Sequence, residues 1–300
     1  MKIALLGLDA AGKSSFLLTL QKKYSETVDL QPTKGINRTN LRILGQDVSI
    51  WDFGGQEAYR KKYFRDSKSL TSIDLVLFLL DVSDPKRFEK AIEYLSSLYA
   101  ETDLGKIDQS HFVFCLHKAD PDRVMEDDTI LSSISLGSEK LREIVPGAHV
   151  FETSIFSPPT ILSAVSVGIQ KTGATKADVI EAELENFAEQ TGSRAVHLLS
   201  ADAFSFGTFS DTKNSETICE ILGFSFVEAW QAITSRQEKP RAILMDLEAG
   251  WAFFNPIAIP NGDYPFLVTY TESEDAREPI LQAIPAFAKK ISDVLQAFSL

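Results

Sequence analysis

The stretch GLDAAGKSS, residues 7–15, follows the short apolar run KIALLG near the start of the chain. It fits the pattern G-x-x-x-x-G-K-[ST], in which backbone N–H groups and the N-terminus of the next helix bind phosphate oxygens. The motif works only where a strand leads through a glycine-rich loop into a helix. We therefore expect a strand over KIALLG and a helix from about Gly12 to Lys22.

The rest of the first half alternates apolar runs with helical patterns. IDLVLFLLD and HFVFCLH are continuous apolar runs, typical of parallel strands that helices cover on both faces. NRTNLRILG and DVSIWDF alternate around Gly45-Gln46, which predicts a β-hairpin. Helical patterns lie at about 56–69, 85–101, 127–145 and 158–171. Residues 1–173 are therefore predicted to form an α/β domain with a doubly wound, mostly parallel sheet.

The second half has a different pattern. The small polar segment KTGATK, 171–176, predicts a linker. Residues 177–300 follow in the order α-β-β-α-β-β-β-α, which predicts a smaller α+β domain around an antiparallel sheet, with a turn at Asn261-Gly262. Apolar stripes mark its first and last helices, at Ile180, Leu184 and Phe187 and at Ile280, Ile284, Phe287, Ile291, Leu295 and Phe298.

Charge and composition limit the classes of partner. The net charge of the chain is −12, and residues 176–300 carry 9 basic against 19 acidic side chains, which argues against nucleic acid or anionic lipid as a direct partner. Apolar runs are shorter than the roughly 18 residues that span a membrane. Lys2 stands where myristoylation needs glycine, and AFSL lacks a prenylation cysteine, so we expect no direct membrane anchor. Cys115 and Cys219 are expected to be reduced thiols in a cytoplasmic protein.

The glycine-rich loop supplies the expected phosphate contacts. Backbone N–H groups would face the α- and β-phosphates, and they belong to Ala10, Ala11, Gly12, Lys13, Ser14 and Ser15. The Lys13 ammonium would reach the β- and γ-phosphates, and the Ser14 hydroxyl would ligate Mg²⁺.

Four further motifs follow in the order and context of the Ras superfamily of small GTPases, which the first half resembles: PTKG at 32–35, WDFGGQE at 51–57, HKAD at 117–120 and TSI at 153–155. The resemblance implies that Thr33 binds Mg²⁺ and that Asp52 holds a Mg²⁺-bound water. It also implies that Gly55 contacts the γ-phosphate and that Gln56 orients the attacking water. Lys13, Gly55 and Gln56 are thus the expected catalytic residues.

Asp120 indicates which base is bound. Its carboxylate offers two acceptors that match the N1–H and N2–H₂ donors of guanine, whereas adenine presents an acceptor at N1 and would leave the charge unpaired. The stem of Lys118 would pack along the base, and a backbone N–H near Ser154-Ile155 would meet the guanine carbonyl. The expected ligands are therefore GTP and GDP with Mg²⁺.

Two branches of the superfamily compete. GLDAAGKSS and WDFGGQE resemble the Arf and Arf-like proteins, whereas HKAD, with His117 in place of the usual Asn, and TSIF resemble the Rag/Gtr proteins. The length and the second half also resemble Rag proteins, whose C-terminal domain is of the roadblock type, related to longin domains. The main interpretation is a Rag/Gtr-like switch. The alternatives are an Arf-like trafficking GTPase with an appended domain, a scaffold that holds nucleotide without turnover, and a metabolic P-loop kinase.

The Rag resemblance implies partners. It implies a dimer through residues 177–300, with a second Rag-like GTPase or with itself. GTPase-activating factors, exchange factors and effectors would meet the segments around Thr33 and 54–68, and partners would bring the protein to membrane surfaces. Arg60 or Arg65 could supply an arginine finger in cis. His117 would reproduce only part of the contacts of Asn. Asp9 would lie close to the γ-phosphate and crowd Gln56, so we expect slow intrinsic hydrolysis.

Overall fold

The computed structural model describes residues 1–28, 30–65, 67–257 and 265–297, with the backbone alone for residues 65, 67, 174–176, 296 and 297. The chain divides into two compact units, Met1–Thr172 and Gly173–Leu300. No helix of the described ranges is both long and apolar enough to cross a membrane.

The first unit is an α/β structure built on a mixed sheet. Its elements in chain order are β1 (Lys2–Gly7), α1 (Lys13–Leu20), β2 (Ile36–Ile43), β3 (Gln46–Phe53), α2 (Glu57–Arg65), β4 (Leu75–Asp81), α3 (Phe88–Glu101), β5 (Phe112–His117), α4 (Pro121–Glu126), α5 (Asp128–Ile144), β6 (His149–Thr153) and α6 (Pro158–Thr172). The sheet order is β2-β3-β1-β4-β5-β6. Only β2 pairs antiparallel among these strands. The predicted doubly wound sheet with one hairpin is confirmed.

The apolar runs form the centre of this sheet. Every residue of β5 is buried, and so is β4 up to Asp81, because helices cover both faces of central parallel strands. The strands are aligned so that Asp81 lies opposite His117, which lies opposite Thr153. The carboxyl ends of neighbouring strands therefore bring distant motifs to one edge of the sheet, where ligands bind in open α/β folds.

Two local details differ from the expected boundaries. The turn of the hairpin is formed by Leu44 (φ 51°) and Gly45 (φ 76°), one residue earlier than Gly45-Gln46. The helix expected over 127–145 is preceded by a short helix, α4, which the sequence pattern did not reveal. The Asp127 carboxylate accepts a hydrogen bond from the Thr129 N–H at 2.9 Å and caps α5, which separates the two helices.

The second unit has the predicted order of elements. These are α7 (Ala174–Thr191), β7 (Ala195–Leu199), β8 (Ser205–Ser210), α8 (Lys213–Thr234), β9 (Ile243–Leu247), β10 (Gly250–Pro256), β11 (Phe266–Thr271) and α9 (Arg277–Ala297). The strands form an antiparallel sheet in the order β8-β7-β11-β10-β9. An antiparallel sheet is compatible with the expected roadblock-type domain, whose identity stays a prediction.

The apolar stripes predicted for α7 and α9 pack into the core of this unit. Ile180, Leu184 and Phe187 of α7 share one apolar core with Phe287 and Ile291 of α9. The predicted linker 171–176 contains the division between the two units, which falls after Thr172. It is nevertheless mostly helical, because α6 continues to Thr172 and α7 begins at Ala174, so that Gly173 alone separates them. The turn expected at Asn261-Gly262 and the stripe residue Phe298 lie outside the described residues.

Candidate functional site

The glycine-rich loop bends through two residues with positive φ, Ala10 (60°) and Gly12 (88°). Gly12 directly precedes α1, so the N–H groups of the first helical turn, Lys13 to Ser15, have no acceptor further back in the helix. A Cβ atom on Gly12 would lie 2.6 Å from Cδ2 of His117. The loop is thus shaped by a close approach of its backbone to the end of β5, and it presents a helix N-terminus suited to an anion.

Lys13 is a buried cation beside this loop. Its ammonium donates to the carbonyl oxygens of Gly7 at 3.1 Å and Leu8 at 2.7 Å, and only 6% of the residue is exposed. Burial lowers the pKa of Lys13 to about 8, although the carboxylates of Asp52 and Asp9 oppose that shift. A phosphate group bound here would favour the charged form of Lys13.

Three oxygen-bearing side chains converge next to Lys13. The Ser14 Oγ lies 2.9 Å from the Thr33 Oγ1, and the two hydroxyls donate to the Asp52 Oδ2 at 3.0 and 2.9 Å. Asp52 is 1% exposed, and its Oδ1 is buried without a hydrogen-bond partner among the described residues. Hydroxyl and carboxylate oxygens are ligands that Mg²⁺ prefers. The unpaired oxygen and the donor set therefore fit the expected magnesium site, in which Ser14 and Thr33 would bind the ion and Asp52 would hold a water molecule bound to it.

The segment around Thr33 is tied to the segment after β3. The Gly54 N–H donates to the Gly35 carbonyl oxygen at 2.8 Å, and the Tyr63 hydroxyl donates to the same oxygen at 2.7 Å. Burial raises the pKa of Tyr63 to about 12, so this hydroxyl remains a donor at neutral pH. The two segments expected to respond to nucleotide are thus joined directly.

Gly55 connects these segments to the glycine-rich loop. A Cβ atom on Gly55 would overlap the backbone of Leu8 and Asp9, so only glycine permits this approach. Gln56 follows it and is exposed. The structure therefore places Gly55, the residue expected at the γ-phosphate, against the glycine-rich loop, and it leaves the neighbouring Gln56 exposed.

The residues expected to recognise the base meet at the ends of β5 and β6. The Ser154 hydroxyl donates to the Asp120 Oδ1 at 2.5 Å and accepts from the Phe156 N–H at 3.1 Å. These bonds orient the carboxylate and the loop that contains Ile155. The Lys118 ammonium donates to the Asp81 Oδ2 at 2.6 Å, and Lys118 has a φ of 64°.

His117 links both halves of the site. Its Nδ1 lies 3.0 Å from the Thr153 Oγ1, its ring packs edge-on to Phe16 at a centroid distance of 5.7 Å, and it adjoins Gly12. Burial lowers the pKa of His117 to about 4, so the ring is neutral at physiological pH. It therefore connects the phosphate loop to the base loop through packing and one hydrogen bond.

Arg60, one of the two candidates for an arginine finger in cis, has a different set of contacts in the structure. Arg60 is 8% exposed, its Nε donates to the Gly55 carbonyl oxygen at 3.0 Å, and its guanidinium lies 4.9 Å from the centre of the Tyr94 ring. The Arg60 side chain therefore supports the backbone of Gly55. The side chain of Arg65 lies outside the described part of the chain.

Two site residues were missed at the sequence level, Asp81 and Arg87. Arg87 donates to the carbonyl oxygen of Asp9 at 2.9 Å and to its carboxylate at 2.6 Å. The carboxylate expected to crowd Gln56 is therefore paired with Arg87. The position of DVSDPKR directly after a central parallel strand was the available signal, because such ends face the site.

Residues 1–190 match the family model of the ADP-ribosylation factors. The chain belongs to the ADP-ribosylation factor family. Its members are GTP-binding switch proteins that bind GTP and GDP with Mg²⁺ and hydrolyse GTP. The P-loop sheet of the first unit is the fold this family uses.

Individual ADP-ribosylation factor relatives cover parts of the chain. "ADP-ribosylation factor-like protein 3" of Caenorhabditis elegans is 34% identical over 108 residues, which is 36% of this chain and 56% of that protein. "ADP-ribosylation factor-like protein 5" of the same organism is 32% identical over 141 residues, which is 47% of this chain and 74% of that protein. The chain thus spans little more than half of the first relative.

One solved structure that matches the chain is that of the Arl6 BBS3 small GTPase from Trypanosoma brucei with the bound nucleotide analogue GppNp. It has a TM-score of 0.45 and 15% identity, and the match covers 58% of this chain and 98% of that chain. The family model and the sequence relatives fit the Arf-like alternative better than the Rag/Gtr-like interpretation. They give no support to a roadblock domain or to a dimer.

Proposed function

We propose that this ADP-ribosylation factor family protein is a slow GTPase switch whose first unit binds GTP or GDP with Mg²⁺. The observation that carries the proposal is the convergence of Ser14, Thr33 and Asp52 beside the buried ammonium of Lys13. Thr33 reaches this cluster from a long loop, and it is the residue expected to close over the γ-phosphate. Loss of that phosphate would remove one reason for the loop to stay closed.

Guanine selectivity would come from Asp120. The Ser154 hydroxyl fixes the orientation of the Asp120 carboxylate, so neither of its oxygens has to be reoriented when the base binds. Adenine would leave this charge facing an acceptor, which a partly buried site tolerates poorly. The Lys118 stem and the Ser154-Ile155 backbone would complete the base contacts.

Hydrolysis would depend on position more than on covalent chemistry. When bound, Mg²⁺ would neutralise charge that develops on the phosphates. Lys13 would place a cation beside the same oxygens, and the Gly55 N–H would donate to the γ-phosphate. The exposed Gln56 would orient a water molecule. Because the Arg60 Nε donates to the Gly55 carbonyl oxygen, we expect a slow intrinsic rate and dependence on an external activating factor.

A phosphate-release assay tests this function. We expect the full chain to purify with guanine nucleotide, and Gln56→Leu to lower the single-turnover rate of GTP hydrolysis at least about tenfold without weakening GDP binding. Glu57→Gln, at the exposed neighbouring position, is the control and should hydrolyse GTP at the wild-type rate. Equal competition by ATP would favour a P-loop kinase. Absence of release from wild type, with or without an activator, would favour a non-hydrolysing scaffold.

The second unit is proposed to be a roadblock-like dimerisation domain. Its antiparallel sheet ends in β9, an edge strand on which Leu244 and Met245 are exposed. Light scattering on the full chain is expected to give twice the mass of 33.2 kDa. A monomer at concentrations well above micromolar would contradict the self-pairing form. Effectors, regulators and any partner that recruits the protein to membranes would bind the segments around Thr33 and 54–68 in the first unit.

A further inference from the structure

Asp9 and Arg87 form a two-point contact at the start of the glycine-rich loop. One guanidinium nitrogen donates to the Asp9 backbone carbonyl oxygen at 2.9 Å, and another donates to the Asp9 Oδ1 at 2.6 Å. A planar guanidinium that binds two atoms of one residue fixes both the backbone and the carboxylate of that residue. The Asp9 side chain is thereby held toward α3.

We propose that Arg87 is a positioning residue that sets the preference for GTP over GDP, by holding the Asp9 carboxylate away from the third phosphate. This inference rests on the proposed function, because it assumes that a guanine nucleotide occupies the site. It concerns a residue outside the nucleotide contacts described above.

Asp9 lies in the first part of the glycine-rich loop, and the third phosphate is expected beside this part. Gly55, the expected γ-phosphate contact, packs directly against the backbone of Leu8 and Asp9. The Asp9 carboxylate also acts electrostatically on Lys13, the cation of the phosphate site. An unpaired carboxylate at this place would repel the added negative charge of GTP. GDP lacks that phosphate, so the repulsion would fall mainly on GTP.

The position of Arg87 makes it suited to this task. It ends the short turn Pro85–Arg87 that leads into α3, and the same connection begins at Asp81, which binds Lys118. A small cleft lined by Leu8, Ala11, Phe88 and Ala91, with Asp9 and Arg87 among its walls, separates the loop from α3. The connection between β4 and α3 thus holds one residue of the phosphate loop and one of the base motif.

The exposure of the pair separates this role from a structural one. The side chains of Arg87 and Asp9 are 32% and 45% exposed, and ion pairs that face solvent contribute little to the stability of a fold. Removal of Arg87 should therefore leave the first unit folded. Its effect should be seen in the ratio of the two nucleotide affinities.

The test is a double-mutant cycle in the full chain with Mg²⁺. Dissociation constants for GDP and for a non-hydrolysable GTP analogue are measured by titration calorimetry in wild type, Arg87→Ala, Asp9→Ala and the double variant. We expect Arg87→Ala to weaken the analogue about tenfold relative to GDP. Asp9→Ala should change the ratio by less than about twofold when Arg87 is present, and should restore it when Arg87 is absent.

A matched control and the contrary outcomes complete the design. Lys86→Ala removes an exposed cation from the adjacent position and should leave the ratio unchanged, which excludes a general effect of charge. Equal weakening of both nucleotides, or an Asp9→Ala effect that is the same in both backgrounds, would overturn the inference. A wild-type chain that binds neither nucleotide would instead contradict the proposed function.

Discussion

Substitution of Gly12 by Ala will weaken the binding of GDP and GTP more than a hundredfold, about 3 kcal/mol. A Cβ at this position would lie 2.6 Å from Cδ2 and 2.8 Å from Nε2 of His117. The imidazole has little room to retreat, because it packs on Phe16 and is bonded to Thr153. The positive φ of 88° adds strain for any side chain. The loop must therefore open, and its N–H groups then no longer point together at the phosphates.

Gly45 offers a matched control for this substitution. Its φ is 76°, and no atom in the described part of the chain lies within 4 Å of the Cβ that alanine would add. Gly45→Ala should cost roughly 1–2 kcal/mol of unfolding free energy and leave nucleotide affinity unchanged. Calorimetric titration of both variants measures the difference, with thermal unfolding as a check on folding.

A second variant connects the loss to the contact with His117. Combining Gly12→Ala with His117→Ala removes the ring that the new methyl group meets, so binding should improve over Gly12→Ala alone. If Gly12→Ala and Gly45→Ala have equally small effects on affinity, the close approach of the loop to β5 does not shape the phosphate site.

The glycine-rich loop and the HKAD motif are recognisable from sequence because each is a local pattern at the end of a strand. Ser14, Thr33 and Asp52 are far apart in the chain. Asp52 lies at the carboxyl end of β3 and Ser14 follows β1, its parallel neighbour, whereas Thr33 precedes β2, which pairs antiparallel with β3. The hydrogen bonds among them follow from that topology.

The orientation of side chains at the site could not be predicted in the same way. The pairing of Asp9 with Arg87 joins residues 78 positions apart, and Arg87 belongs to no short motif. The burial of Arg60 depends on Tyr94 of α3, which its own helical pattern does not reveal. These contacts depend on how α2 and α3 pack on the sheet, and no short motif of the linear sequence reveals them.

The helical ends of the second half show a related limit. KTGATK is small and polar, which favours a loop by composition. Nevertheless α6 and α7 extend to either side of Gly173, because tertiary packing of their apolar faces outweighs weak local propensities. The stripes of Ile180, Leu184 and Phe187 predicted the packing of α7 correctly, but not where the helix begins.

Acid is expected to destabilise the second unit through His197. This residue of β7 is buried beneath α8, and its Nε2 lies 2.9 Å from the Ser205 Oγ. Burial lowers the pKa of His197 to about 4, against about 6.5 in an unfolded chain. Between pH 6.5 and 4 the unfolded state therefore binds more protons than the folded state. The unfolding free energy falls as the pH falls through this range.

The expected loss is about 2–3 kcal/mol between pH 7 and pH 4.5, from a shift of roughly 2.5 units at about 1.4 kcal/mol each. Trp230 and Trp251 are the tryptophans of the second half, and Trp51 is the third of the chain. Urea unfolding followed by fluorescence in a Trp51→Phe background therefore reports this unit. His197→Gln keeps a polar partner for Ser205 and removes the titrating group.

The decisive quantity is the change of unfolding free energy with pH, because a buried glutamine will alter stability at every pH. Carboxylates that gain protons in acid contribute equally to both chains, and their effect cancels in the comparison. The pH-dependent loss should shrink by about 2–3 kcal/mol in His197→Gln and persist in His111→Gln, whose ring lies in the first unit. Parallel curves for His197→Gln and its background would show that the His197 imidazole takes up its proton without unfolding the sheet.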